Sequence, residues 1–282
     1  MKFYIVIPAH NEAHFIEQTL ESLVKQTLLP KKVVVVNDNS TDETQDIVKE
    51  FTNKYEFIRL VNKQSSVKHL PGAKIIQAFY TGLETLDDDY DILCKFDADL
   101  IFPKNYLEKL SYHFKNNAKL GMAAGHCYFK KGEELVLENL TRKDHIRGAL
   151  KAYRKGCFVQ IEGLKKSMGW DTVDELLAKY YGWQISTDES LKVIHLKPTG
   201  ANYNKASKYL QGKAMYKMRL GFTLTFITAL KLGLKKKSFS FFFNYLVGYL
   251  EAFINKNDRI VTKEQGKFIR NLRWKGILHK LS

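Results

Sequence analysis

Asp97 and Asp99 are carboxylates one residue apart, and they follow a strand-like apolar run over residues 90–96. Carboxylates at the end of a buried strand can hold a divalent cation, because Mg²⁺ and Mn²⁺ prefer oxygen ligands. The same pair can also face a ribose hydroxyl or a diphosphate. Any acidic surface turn satisfies an Asp-x-Asp pattern, so the interpretation depends on the segments that lie beside it.

Two further loops near the N-terminus carry polar side chains after strand-like runs. The run at residues 3–7 meets Pro8. Because proline cannot continue a strand ladder, we expect the chain to leave the sheet there and expose Ala9 to a flat ligand. The run at residues 33–36 is followed by Asp38. Its carboxylate can accept the imide N–H of a uracil-like base or can lie in a solvated turn.

Strands and helices alternate in the first half of the chain, which predicts an α/β fold with a mostly parallel sheet and helices on its faces. Helices are predicted at residues 13–26, 41–51, 72–84 and 106–114. Later strands are predicted at residues 157–161 and in the run that ends at His195. Ligands bind beyond the carboxyl ends of the strands in such sheets. We therefore expect the three polar loops to meet at one edge.

The ordered segments Val-Ile-Pro-Ala-His-Asn-Glu, Val-Asn-Asp-Asn-Ser-Thr-Asp and Phe-Asp-Ala-Asp resemble the family 2 nucleotide-sugar glycosyltransferases. The resemblance implies a GT-A catalytic domain over residues 1–200 that moves a sugar from a nucleotide diphosphate donor to an acceptor. The alternative is a catalytically silent homologue that uses the same sheet to bind partners. Such a protein has no reason to retain clustered carboxylates, which argues against this alternative.

The resemblance also implies roles for individual residues. Pro8, Ala9 and Glu12 would lie around the nucleotide, and Asp38 would read its base. Lys74, at the start of the predicted third helix, is a further nucleotide-binding candidate. Asparagines flank Asp38 where many relatives have Asp and Gly. This departure leaves a GDP-sugar open beside the favoured UDP-sugar.

A divalent metal is expected from the chemistry, because negative charge builds on the diphosphate as the sugar leaves. By the same resemblance Asp97 would face the ribose and the metal, and Asp99 would hold Mn²⁺ or Mg²⁺ on the diphosphate. His195 stands where relatives often place a further metal ligand. A lone histidine is also commonly structural, so both roles stay open for it.

A carboxylate must also remove the proton of the acceptor hydroxyl, and an inverting displacement needs it on the face opposite the leaving group. Residues 169–175 resemble the family segment in which an acidic pair opens a helix, predicted here from residue 176. Asp174 is the first choice for this base. Asp171 is the alternative, because the spacing to Gly182 can be aligned to give it this role and the usual Glu-Asp order is here Asp-Glu. Trp170 would border the acceptor.

The formal net charge of +15 over 282 residues indicates an anionic partner: a nucleic acid, an acidic membrane surface or a phosphorylated substrate. No zinc spacing, helix-turn-helix pattern or aromatic-basic RNA motif supports nucleic-acid binding. Arg147 could contact the donor diphosphate or an anionic acceptor. We expect Lys151 and Lys155 to lie on a solvated basic face instead.

Three cysteines, Cys94, Cys127 and Cys157, lack metal-ligand spacing and are expected to be buried free thiols in a reducing compartment. The apolar run that ends at Pro8 is too short for a signal peptide. Both observations favour a cytoplasmic protein.

Residues 201–282 form a second, basic and aromatic region whose apolar stretches fall short of the ~20 residues that a spanning helix needs. They could lie in the membrane interface with lysines toward anionic headgroups. They could equally pack as a helical hairpin on the catalytic domain or on a second copy, as in a homodimer. The whole chain therefore predicts a metal-dependent, inverting glycosyltransferase. We expect it to act on a cell-envelope polysaccharide or lipid-linked acceptor, peripheral to the cytoplasmic face of the inner membrane.

Overall fold

The apolar runs near the N-terminus form the parallel part of one mixed sheet. The computed structural model describes residues 1–64, 72–138, 144–197 and 209–279. The strands in these ranges are β1 (Phe3–Ala9), β2 (Lys32–Asp38), β3 (Ile58–Lys63), β4 (Ile92–Phe96), β5 (Leu100–Ile101), β6 (Leu120–Lys131), β7 (Glu134–Leu137), β8 (Leu150–Arg154) and β9 (Gln184–His195). Their order is β3-β2-β1-β4-β8-β6-β9-β5, and β7 pairs with β6.

The first strands read as continuous apolar runs because helices cover both faces of the sheet. β1 pairs in parallel with β2 on one side and with β4 on the other. The side chains of residues 33–36 on β2 are fully buried. Because β1, β2 and β4 run in the same direction, the loops that follow them leave from the same edge of the sheet.

The region predicted to be catalytic, called the catalytic region below, contains the helices α1 (Ile16–Val24), α2 (Thr44–Lys54), α3 (Ala73–Leu83), α4 (Tyr106–Asn116), α5 (Lys155–Gln160) and α6 (Trp170–Tyr180). Helix α3 lies very close to β1 and β2. A Cβ on Gly82 would be 2.6 Å from Val36 Cγ2 and 2.7 Å from Val6 Cγ1. The small residues predicted for this helix therefore let it contact the sheet directly.

The prediction that Pro8 ends the first strand is wrong. β1 continues to Ala9, and Pro8 lies opposite Val36 in the parallel register. Pairing of β1 with β4 ends earlier, at Val6 opposite Lys95. Pro8 thus lies where β1 has a neighbour on one side only, so its missing N–H is tolerated.

Three predictions for the middle of the chain are also wrong. Residues 157–161 do not form a strand, because α5 occupies this segment and the strand β8 lies just before it. Helix α6 begins at Trp170 rather than at residue 176. Lys151 is not on a solvated face. It lies on β8 between β4 and β6, and its side chain is fully buried.

The C-terminal region contains the helices α7 (Leu210–Lys217), α8 (Gly221–Lys235), α9 (Phe239–Ile254) and α10 (Lys263–Leu278). None of the helices in the described ranges combines the length and apolarity needed to cross a bilayer. The three cysteines are buried and free, as predicted. The predicted domain boundary at residues 200/201 lies outside the described residues.

Candidate functional site

The loops after β1 and β2 are held together by side chain to backbone hydrogen bonds. His10 Nδ1 lies 2.6 Å from the Asp38 carbonyl oxygen. The Asn11 N–H donates to Ser40 Oγ at 3.0 Å, and the Thr41 N–H donates to Asn11 Oδ1 at 2.8 Å. These reciprocal bonds fix one loop against the other without using the carboxylates nearby.

Asp38 and Pro8 lie at the carboxyl edge of the sheet, where the nucleotide site is predicted. Asp38 is the last residue of β2 and is 8% exposed, with Lys63 Nζ 3.6 Å from its Oδ1. Pro8 lies opposite Val36, and Ala9 lies opposite Asn37. Lys74 is half-buried in the first turn of α3.

Glu12 is a partly buried carboxylate whose charge interacts with the charges of the Asp-x-Asp segment. Its Oε1 accepts a hydrogen bond from Lys197 Nζ at 3.1 Å, whereas its buried Oε2 has no hydrogen-bond partner among the described residues. Burial raises the pKa of Glu12, and the charges of Asp99 and Asp97 add to this increase while Lys197 opposes it. Glu12 therefore lies close enough to Asp97 and Asp99 for their negative charges to act on it.

Asp97 is bound to a lysine that the sequence patterns did not single out. Lys95, fully buried on β4, donates to Asp97 Oδ1 and, at 3.1 Å, to the Gly148 carbonyl oxygen. Its ammonium group also lies 5.3 Å from the centre of the Trp170 ring. Lys95 thus connects the Asp-x-Asp segment to the start of α6.

Asp99 belongs to a chain of alternating charges. Its Oδ2 lies 3.3 Å from His195 Nε2, and His195 Nδ1 lies 2.8 Å from Glu138 Oε2. Arg147 NH1 is 2.6 Å from the same Glu138 oxygen. Burial lowers the pKa of His195, but the bonds to Asp99 and Glu138 outweigh burial and raise it to about 9. The sequence predictions for Asp99, His195 and Arg147 thus fall on neighbouring side chains.

Two sets of side chains can be tested as a divalent metal site. The first, made of Glu12, Asp97 and Asp99, offers hard oxygen ligands and a buried carboxylate oxygen without a partner, which suits Mg²⁺ or Mn²⁺. The second, made of Cys127, Glu138 and His195, brings its ligand atoms within 4.8 Å of one another. Burial raises the pKa of the Cys127 thiol to about 12, and sulfur is a softer ligand than Mg²⁺ or Mn²⁺ prefers. The oxygen-rich set is the better match to Mg²⁺ or Mn²⁺ in ligand chemistry, whereas the second set is the one whose ligand atoms converge.

The two base candidates differ sharply in their surroundings. The Asp174 side chain is 1% exposed, accepts a hydrogen bond from Tyr153 Oη and lies 3.1 Å from Lys151 Nζ. The Asp171 side chain is 33% exposed, and its Oδ2 lies 3.8 Å from His145 Nε2. Only Asp171 retains a face that an acceptor can approach.

The pKa shifts of these two carboxylates follow their surroundings. Burial raises the pKa of Asp174 to about 7, although Lys151 opposes the shift. Burial also raises that of Asp171, but the bond to His145 and the charge of Lys151 outweigh it, and its pKa falls below the ordinary value. Asp171 is therefore the carboxylate that stays ionised at neutral pH.

The base region and the Asp-x-Asp region meet at Gly148. A Cβ placed on Gly148 would be 3.4 Å from Asp171 Oδ2 and 3.0 Å from the buried Trp170 ring. Its carbonyl oxygen accepts the bond from Lys95, which also binds Asp97. The two regions thus border a common backbone segment.

Comparison with known proteins identifies the family. Residues 4–160 match the family model "Glycosyl transferase family 2". The chain belongs to this family. It is 35% identical over 127 residues to "Probable glycosyltransferase YdaM" of Bacillus subtilis. The aligned segment covers 44% of this chain and 29% of that relative. The chain therefore spans under a third of that relative's length.

Solved structures of other glycosyltransferases share the fold of this family 2 member. S. aureus TarS in complex with UDP-GlcNAc matches with a TM-score of 0.58 and 23% identity, over 78% of this chain and 65% of TarS. The mannosyltransferase PcManGT from Pyrobaculum calidifontis in complex with GDP-Man and Mn²⁺ matches with a TM-score of 0.54 and 14% identity, over 100% of this chain and 81% of PcManGT. At these identities the likeness shows the fold alone, and it confirms the predicted GT-A architecture.

Several charged residues of this glycosyltransferase were missed by sequence reasoning. Lys95 could have been found from the sequence, because a lysine inside a buried apolar strand needs a paired charge. The same reasoning applies to Lys151 on β8, but the sequence prediction placed the strand too late in the chain to include it. Glu138 and His145 had none, since each reaches its partner from a connecting segment whose path the local sequence does not specify.

Proposed function

We propose that this chain is a metal-dependent, inverting glycosyltransferase that takes a sugar from a nucleotide diphosphate donor. The observation that carries the proposal is a set of carboxylates at one sheet edge, where the charges of Asp97 and Asp99 act on Glu12 and where Asp38 ends β2. A bound Mg²⁺ or Mn²⁺ would neutralise the charge that develops on the leaving diphosphate. Asp97, Asp99 and Glu12 would hold this ion, and His195 beside Asp99 would be a further ligand once its imidazolium has released a proton.

The donor is proposed to be a UDP-sugar. Asp38 ends β2 with a carboxylate that can accept the N3–H of uracil, and Pro8 and Ala9 on the neighbouring strand leave room for a flat ring. TarS, a structural neighbour, is described in complex with UDP-GlcNAc, which supports this choice. PcManGT is described with GDP-Man and Mn²⁺, so a GDP-sugar is the alternative to test.

Asp171 is proposed as the base that removes the proton of the acceptor hydroxyl. Its lowered pKa keeps the carboxylate ready to accept a proton, and its side chain is one-third exposed. His145 and Lys151 act as positioning residues, because they bind the carboxylates of the α6 start and hold that turn in place. Asp174, enclosed by Lys151 and Tyr153, is assigned to this supporting cluster.

The acceptor is proposed to be a cell-envelope glycan or a lipid-linked sugar presented at the cytoplasmic face of the inner membrane. The net charge of +15 supports an anionic acceptor or an anionic environment. Trp170 and Arg147 border the region between the base and the Asp-x-Asp segment, where an acceptor would approach.

A thermal-shift panel tests the donor and the metal together. UDP-, GDP- and dTDP-sugars are added with and without Mn²⁺, and the melting temperature of the full chain is measured. We expect UDP-sugars to stabilise it only when Mn²⁺ is present, and Asp99→Asn to remove that stabilisation. Equal stabilisation without metal would refute metal dependence. Metal-dependent binding without any sugar transfer or donor hydrolysis would favour the catalytically silent homologue.

A further inference from the structure

A row of large apolar side chains faces solvent along α8 and α9. We name it the hairpin face, and its members are Phe222, Phe226, Leu230 and Leu234 on α8 and Phe239, Phe243, Val247, Leu250, Phe253 and Ile254 on α9. The members on α8 recur every four residues, so they form one stripe along that helix. Exposure reaches 67% at Leu234 and 83% at Phe239, on either side of the connection between the helices.

The two stripes join into one surface. Phe226 lies 5.6 Å from Phe242 between ring centres, and Phe242 lies 5.2 Å from Phe243. Phe222 and Phe226 on α8 lie 6.4 Å apart. A continuous series of rings therefore leads from the start of α8 to the first turns of α9. A contiguous exposed surface that contains ten large apolar side chains indicates an interaction site.

The hairpin face is exposed although α9 is tightly docked on the rest of the chain. The opposite side of α9 packs against α7, where a Cβ on Gly248 would be 2.1 Å from the Tyr209 carbonyl oxygen. Tyr245, Tyr249 and Ala252 on that side are buried. The exposed stripe is thus the face that remains after the intramolecular contacts of α9 are made.

Charge indicates which partner covers this face. Lys231 on α8 and Lys235, Lys236 and Lys237 at its end are all exposed, beside the most exposed apolar residues. Glu251, the acidic residue in the sequence of the two helices, is bound to Lys213 Nζ at 2.9 Å. A second copy docked through the same face would bring a second set of these lysines toward the first. An anionic lipid surface matches both the apolar side chains and the lysines.

We propose that the hairpin face inserts into the interfacial layer of an anionic lipid bilayer, with the lysines at the headgroups. Helices α8 and α9 contain 15 and 16 residues. At 1.5 Å per residue each is roughly 23 Å long, which is shorter than the ~30 Å hydrocarbon core. The helices therefore lie on the membrane rather than cross it. This surface does not depend on the proposed sugar transfer.

Flotation of the full chain tests the proposal, using vesicles of phosphatidylcholine alone and of phosphatidylcholine mixed with phosphatidylglycerol. The wild type should float with the mixed vesicles and far less with the neutral ones. Phe239→Ser with Phe243→Ser should weaken partitioning about a hundredfold, roughly tenfold for each ring. Leu29→Ser with Tyr112→Ser is the matched control, because these side chains are 52% and 66% exposed on the catalytic region.

A charge variant separates the two contributions. Replacing Lys235, Lys236 and Lys237 by Gln should weaken binding to anionic vesicles about a hundredfold, near fivefold per lysine. The same change at Lys104, Lys115 and Lys119, which are exposed on the catalytic region, should weaken it by less than about threefold. All replaced side chains are exposed, and circular dichroism verifies that each variant is folded.

Two results would overturn the proposal. The first is a wild type that stays unbound with anionic vesicles, or a double phenylalanine variant that floats as well as the wild type. The second is a lipid-free dimer, detected by sedimentation velocity, that becomes monomeric in the same variant. That second result would assign the hairpin face to a second copy of the chain.

Discussion

Exchanging each α6 aspartate for asparagine is the sharpest test of the proposed base. Asp171→Asn and Asp174→Asn make the same chemical change three residues apart on one helix, so each serves as the control for the other. Removing the general base should reduce kcat about 10²- to 10⁴-fold in Asp171→Asn, which corresponds to roughly 3–5 kcal/mol in the activation barrier. Its stability should change by less than about 1 kcal/mol, because Asp171 is one-third exposed and 3.8 Å from His145.

Asp174→Asn should behave in the opposite way to a base variant. Three carboxylates, Asp171, Asp174 and Glu175, surround two cations, Lys151 and His145. Because the pKa of Asp174 is raised to about 7, this carboxylate gives up its charge first. Asparagine resembles the protonated form and can still accept the bond from Tyr153. We therefore expect kcat within about threefold of the wild type and a melting temperature within about 4 °C.

The pH dependence of kcat/KM gives an independent readout. A base with the lowered pKa of Asp171 stays ionised, so the rate should not fall between pH 8 and 6 through loss of the base. If Asp174 were the base, its pKa of about 7 would make the rate fall in that interval. Full activity in Asp171→Asn, or loss of activity in a folded Asp174→Asn, would refute the assignment.

Three further variants test the support of the site and of the sheet. The pKa of His145 is raised from 6.5 to about 9, so its contribution to stability is complete below pH 6.5 and is lost as the pH rises to 9. The free energy of unfolding of the wild type, measured by urea titration, should therefore fall between these two pH values. In His145→Gln this fall should be smaller by about 3 kcal/mol. Lys151→Met leaves buried carboxylates uncompensated and should lower the free energy of unfolding by about 3–5 kcal/mol in the same assay, whereas Lys155→Met at a 38% exposed side chain should change it by less than about 1 kcal/mol. Gly82→Ala should lower the free energy of unfolding by about 1–3 kcal/mol, because its Cβ would lie 2.6 Å from Val36 Cγ2. Gly276→Ala should not be destabilising, because a Cβ at this helical position meets none of the described residues within 4 Å.

The sequence predicted the sheet edge well because periodicity reports burial directly. Runs such as residues 33–36 are apolar at every position only when both faces of a strand are covered, and parallel neighbours then send their loops to one edge. Asp38, Asp97 and Asp99 could be grouped on that basis alone. The position of Pro8 was misjudged because the ladder on one side of β1 ends at Val6, a fact about β4 that no local pattern around Pro8 contains.

The support of the proposed base could not be predicted because it depends on long-range pairing of charges. Lys151 was expected in solvent from its residue type, yet burial of a lysine is tolerated when two carboxylates lie at 3.1 Å. The same pairing explains why the two aspartates of α6 differ. Lys151 and Tyr153 on β8 both bind the carboxylate of Asp174, which was the first choice for the base from the sequence. Asp171, one turn earlier, has His145 Nε2 at 3.8 Å and keeps an exposed face. The side chains of β8 thus determine which of the two carboxylates on α6 stays accessible. We expect that Asp174 could take part in transfer only after a substitution on β8 that removes its contacts with Lys151 or Tyr153.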